Sequence, residues 1–156
     1  MILFRGIQTG NVDEKGRLKL PAKIRQRFEN QYEDRDVFIT SLDGKVVKVF
    51  PLREWEAVEA RLSEKSTESK DMDGEVKDKI LFQANKYGSE ESLDNQGRVL
   101  VPAVLRETAG MSGEVKILWS SNHMLVLSAS RFEEVAEQKT LTPEESKHAA
   151  NLNLGI

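Results

Sequence analysis

The stretch Asp13–Arg25, DEKGRLKLPAKIR, returns as Asp94–Arg106, DNQGRVLVPAVLR, 81 positions later. Six of the thirteen positions coincide: the Asp, Gly and Arg of D-x-x-G-R, then Pro, Ala and the closing Arg. Self-similarity at a fixed separation is the mark of one supersecondary unit used twice. An Asp opening a type I turn, with Gly three residues on in the left-handed region, makes a hairpin turn with a glycine bulge. Asp13 with Gly16 fits this description, and so does Asp94 with Gly97. After the first turn Leu18 and Leu20 alternate with Arg17 and Lys19, the period of a half-buried strand. Pro21 and Pro102 stand where a first helical turn tolerates proline. Ile24 and Phe28, four apart, then share the apolar side of a short helix.

The repeat continues beyond this motif. Asp36–Leu62 aligns with Glu114–Lys139, each predicting a strand, a tight turn (Asp43-Gly44 or Ser121-Asn122), a second strand and an amphipathic helix. The offset falls from 81 to 78 because the link from Arg25 to Val37 is three residues longer than its counterpart. The expected organisation is a first half over 7–54, linking helices and a polar linker over 55–82, a second half over 83–130, and C-terminal helices and tail over 131–156. Ser63–Glu75 reads as the polar linker, and Val76, Ile80, Ala84 and Tyr87 then predict a helix of about three turns. Thr142, Pro143 and Glu145 spell a capping box. Trp55 and Phe132, on the closing helices, are expected in the core. His123, in a turn, and His148 are expected at the surface, without a second ligand at metal spacing.

Charge distinguishes the two copies. Net charge is −3, yet Lys15–Arg27 holds six cations (Lys15, Arg17, Lys19, Lys23, Arg25, Arg27) and no acid, while Glu54–Asp94 holds twelve acids and six bases. Local sign decides what a surface attracts, because charges beyond about 8 Å are largely screened at physiological salt. The second copy has Gln96, Leu100, Val104 and Thr108 where the first has Lys15, Lys19, Lys23 and Arg27. Arg17 is therefore expected to bind a polyanion within a cationic surround, and Arg98 nearly alone. The plainer alternatives are ion pairs, Arg17 with Asp13 and Arg98 with Asp94 or Glu91. Arg25 and Arg106 recur in both copies, and their stems suit covering an apolar edge while the charge stays wet.

Other classes fit less well. No apolar run approaches the 18 residues of a membrane span, and the start MILFRGIQTG shows no secretory signal. The absence of cysteine removes disulfides and thiolate chemistry and matches a reducing cytoplasm. Asp13 and Asp94 could in principle form an aspartic dyad, but Glu14-Lys15 and Asn95-Gln96 are the neighbours of an exposed turn. No phosphate loop, nucleophile elbow or metal-ligand set is present in the sequence. The expectation is a protein that is not an enzyme, with no cofactor, no metal and no small-molecule substrate.

The doubled D-x-x-G-R with its Pro-Ala-x-x-Arg sequel, FRG at residues 4–6 and FPLREW at residues 50–55 together resemble the MraZ family over essentially the whole chain. That resemblance implies a mixed β fold with short helices (α+β): two tandem AbrB-like swapped-hairpin halves forming a pseudo-twofold β-barrel flanked by helices. It also implies a cytoplasmic, nucleoid-associated transcriptional regulator whose protomers close into ring-like homo-oligomers. Such proteins bind double-stranded DNA at repeated boxes in the promoter of their own division and cell-wall operon, usually to repress it. Carried over by position, Asp13, Arg17, Asp94 and Arg98 face DNA, and the charge reading adds Lys15, Lys19 and Lys23. A protein-binding module, antitoxin-like or a scaffold, is the alternative.

Overall fold

The computed structural model describes residues 1–64 and 72–156. The first half runs β1 (Gln8–Val12), β2 (Arg17–Lys19), α1 (Ala22–Gln31), β3 (Asp36–Thr40), β4 (Val47–Pro51) and α2 (Leu52–Ser63). After α3 (Met72–Tyr87) the same order returns as β5 (Ser89–Ser92), β6 (Arg98–Leu100), α4 (Ala103–Thr108), β7 (Gly113–Ser120), β8 (His123–Ser128) and α5 (Ala129–Gln138), followed by α6 (Pro143–Asn151). Gly16 (φ +82°) and Gly97 (φ +74°) occupy the left-handed region that their turns require.

All eight strands form one antiparallel sheet in the order β5-β3-β4-β8-β7-β1-β2-β6. Its two ends, β5 and β6, are consecutive in the chain and joined by the Asp94–Gly97 turn, so the sheet curls into a nearly closed barrel. Pairing register reveals the pseudo-twofold. Gln8 faces Ile117 and Asn11 faces Glu114; their counterparts, Ser89 with Ile39 and Ser92 with Asp36, pair in the same way. Leu18 pairs with Val99, its own counterpart, so the axis passes through the β2–β6 ribbon. The halves interleave: β1 pairs with β7 and β5 with β3, and neither half has a sheet of its own.

Leu18, Ile24, Phe28, Val99, Leu105 and Ile117 are among the fully buried side chains filling the barrel. A smaller cluster joins α2 and α3 to the outside of the sheet, where Trp55 stacks on Phe38 at 4.7 Å and packs beside Phe50 and Ala84. Thr40 Oγ1 donates to the Ala84 carbonyl at 2.6 Å. At sixteen residues α3 exceeds the three turns its sequence predicts, the additional residues being Met72–Glu75 at its exposed N-terminal end. It begins at Met72, with Asp73 and Glu75 in its first turn, where acids complement the helix dipole. The expected polar linker is thus helical at its end, and 65–71 lie outside the described residues.

The capping box at Thr142 and Glu145 is formed as expected. Trp55 is buried, whereas Phe132 is only half-buried: among the described residues no helix packs on α5 as α3 packs on α2. His123 differs from expectation. It is 8% exposed, with its ring 4.6 Å from that of Phe50. Burial, then the nearby Lys48 charge, lowers its pKa to about 4, so the ring is neutral at pH 7. A hairpin position suggested exposure; as the first residue of β8 it packs onto the neighbouring strand's aromatic ring. Among the described residues no helix is long and apolar enough to cross a membrane.

Candidate nucleic-acid interface

The two turns are built alike, hydrogen bond by hydrogen bond. In the first, Asp13 Oδ1 accepts from the backbone N–H of Lys15 and of Arg17, both at 2.9 Å, and Oδ2 accepts from Arg17 Nε at 2.8 Å. In the second, Asp94 Oδ1 accepts from Gln96 N–H at 2.8 Å and Arg98 N–H at 2.9 Å, and Oδ2 from Arg98 Nε at 2.8 Å. The ion pairs Arg17–Asp13 and Arg98–Asp94 are therefore real. They use only Nε of each arginine. Among the described residues the terminal Nη groups of Arg17 and Arg98 have no hydrogen-bond partner. The Asp fixes the plane of the guanidinium while its two-pronged end stays free for a bidentate acceptor, such as a phosphate or a guanine edge.

The same bonds favour the ionised form of both carboxyls. The backbone N–H of Arg17 is the chief cause that lowers the Asp13 pKa. That of Arg98, followed by its guanidinium, holds Asp94 down to about 2. A dyad requires one carboxyl to be raised. A folded pKa below the unfolded value contributes stability that is complete above about pH 4 and is lost as pH falls towards 2. Melting temperature should consequently fall across that window, and Asp94→Asn should shrink the fall. An acid limb unchanged by the substitution would mean that other carboxylates dominate it.

Between the turns runs the β2–β6 ribbon. Leu18 and Val99 point into the barrel, so Arg17, Lys19, Arg98 and Leu100 share the outer face by alternation. Arg17 lies opposite Leu100, and Lys19 lies directly opposite Arg98. Directly paired residues have Cβ atoms about 4.5–5.5 Å apart, and like charges so placed destabilise a sheet. A polyanion would relieve that repulsion. The register also corrects the expectation that Arg98 stands alone, because Lys19 of the first copy is its cross-strand neighbour.

The remaining sequence candidates divide. Lys15 is exposed at the turn tip and Lys23 on α1. Among the described residues none of Lys15, Lys19 and Lys23 lies within salt-bridge distance of an acid. Arg27 turns away to donate to the Leu3 carbonyl at 3.3 Å. Arg25 and Arg106 each lie against the other half's turn. Arg35, which the sequence did not single out, donates to Asn95 Oδ1 at 2.7 Å and pairs with Glu29 at 3.5 Å. At the repeat offset its place is taken by Gly113, so no repeated signal pointed to it.

One barrel made of two interleaved halves, each presenting an Asp-anchored arginine beside a shared basic ribbon, defines a tandem swapped-hairpin protein. The family described as "MraZ protein, putative antitoxin-like" matches residues 3–75 and 88–153. Similar proteins include the transcriptional regulator MraZ of Acidobacterium capsulatum, 39% identical, and that of Koribacter versatilis, 32% identical, each over 97% of this chain and 100% of the relative. The transcriptional regulator MraZ of Hydrogenovibrio crunogenus is 33% identical over 78% of this chain and 77% of its own length. The chain belongs to the MraZ family.

Proposed function

We propose that this protein is a sequence-specific DNA-binding transcriptional regulator that represses its own division and cell-wall operon. In this reading it binds repeated promoter boxes as a ring-shaped homo-oligomer, in the cytoplasm and associated with the nucleoid. The observation that carries the proposal is the β2–β6 ribbon, with Arg17, Lys19 and Arg98 on its outer face and an Asp-anchored guanidinium at each turn. A two-stranded ribbon fits the major groove of B-DNA, about 12 Å wide. The names of the relatives, transcriptional regulators all, support the class. Self-association is supported by large exposed apolar side chains, among them Phe82 on α3 (68%) and Leu141 in the link between α5 and α6 (61%). No catalytic step enters this reading.

Retardation of the DNA upstream of the protein's own gene, measured at several salt concentrations, tests it. Neutralised phosphates release counterions, so affinity should fall steeply with salt. Changing Lys15, Lys19 and Lys23 together to Gln should make the log–log slope shallower, by roughly one for each phosphate that is no longer neutralised. An unchanged slope would remove these lysines from the DNA-facing surface. The antitoxin-like description of the family favours a second reading, a protein partner. A partner held through apolar surfaces would bind the triple variant as well as the wild type and with little dependence on salt.

A further inference from the structure

Gly16 and Gly97 are buried, although both stand in turns whose other members, Glu14, Lys15, Asn95 and Gln96, are exposed. In each case the cover comes from the opposite half. The nearest atoms on the side where a Cβ of Gly16 would project are Cδ, Nη1 and Cζ of Arg106. At Gly97 they are Arg25 Cδ, 2.7 Å from the place a Cβ would take, and Cγ, 3.2 Å from it. The backbone repeats the crossing. Val101 N–H donates to the Gly16 carbonyl and Leu20 N–H to the Gly97 carbonyl, both at 2.9 Å. Arg25 Nη1 further donates to the Asn95 carbonyl at 3.0 Å.

We propose that Arg25 and Arg106 are positioning residues, each clamping the Asp–Arg turn of the other half, and that the pair of clamps holds the Arg17 and Arg98 guanidinium groups in one fixed relation. The consequence for DNA rests on the functional reading above; the clamp itself does not. The geometry favours stem packing over charge pairing. Nε of both arginines is buried without a hydrogen-bond partner, and the acid nearest Arg25, Glu29, lies 3.8 Å from it. Long aliphatic stems cover apolar surface while their heads reach polar atoms: both stems lie over a glycine, the Arg106 guanidinium also lies over Gly16, and Arg25 reaches the Asn95 carbonyl. Each stem also explains why the third residue after the Asp must be Gly, for a side chain there would collide with the arginine as well as strain a positive φ.

Amide hydrogen exchange on the full-length protein tests the crossing. In Arg106→Ala, exchange at Arg17 and Val101 should quicken about tenfold or more, while Leu20 and Arg98 keep their protection. Arg25→Ala should give the mirror image. Arg106→Met keeps the stem without the charge and should hold Arg17 and Val101 within about twofold of the wild type. Should Arg106→Ala fail to fold, Gly16→Ala asks the same question from the other side, and should loosen Val101 but not Leu20. In Arg106→Ala, loosening of Leu20 and Arg98 instead, equal loosening of both turns, or no loosening would overturn the proposal. DNA affinity, measured in parallel, should fall several-fold in Arg106→Ala and stay near wild type in Arg106→Met. A crossed exchange pattern in a protein that binds no DNA would sink the functional reading and leave the clamp standing. DNA binding with no crossed pattern would do the reverse.

Discussion

Arg17→Ala and Arg98→Ala are each expected to weaken promoter binding by about 1–3 kcal/mol, roughly 5- to 150-fold. The two losses should lie within a few-fold of each other. Counting cations along the sequence would favour Arg17. The fold removes that bias, because Lys19 lies opposite Arg98 in the ribbon and Arg25 reaches the second turn. Melting temperature should scarcely change in either variant. The ion pairs removed are partly exposed, and such pairs are worth about 0–1 kcal/mol. Each Asp also keeps its backbone donors in the variant. Binding by fluorescence anisotropy, with a melt of each variant, checks both statements. A marked drop in melting temperature with DNA affinity preserved would make the arginines structural.

A still larger effect is expected from the DNA side. One ribbon on a chain of net charge −3 can neutralise few phosphates, and the acid-rich Glu54–Asp94 region opposes approach at low salt. In the proposed ring several ribbons would bind as a unit, and linkage of this kind raises avidity by roughly 10²–10⁴ while each site binds as it would alone. Deleting one promoter box should therefore cost far more than its share of the interface. Moving one box by about half a helical turn, roughly 5 bp, should cost as much, since it turns that box to the far side of the duplex. Sedimentation of the protein alone and gel retardation of the altered duplexes check this. A monomer at micromolar concentration that holds a single box tightly would contradict it.

What was legible in the sequence was local. The D-x-x-G-R turns, the short helix after Pro21 with Ile24 and Phe28 inward, and the capping box at Thr142 each depend on residues within a few positions of one another. The repeat showed one unit used twice, and the two-half barrel was legible through the family resemblance that the doubled motif carries. What stayed hidden depends on register between distant strands. Lys19 and Arg98 become neighbours only because Leu18 pairs with Val99 across the axis. Arg25 and Arg106 carry no local sign that their stems end over a glycine in the other half. His123 looked exposed because a turn residue usually is, and its burial depends on Phe50 of the adjacent strand. The extra length of α3 is at its exposed N-terminal end, where Asp73 and Glu75 complement the helix dipole.

In the proposed function the two turns and the outer face of the β2–β6 ribbon are the surface that meets DNA. Hydrogen-exchange protection with and without a duplex from upstream of the protein's own gene measures that surface directly. Protection gained on binding should concentrate at residues 13–19 and 94–100, in both halves. Protection confined to α5 and α6, or to one turn alone, would contradict it.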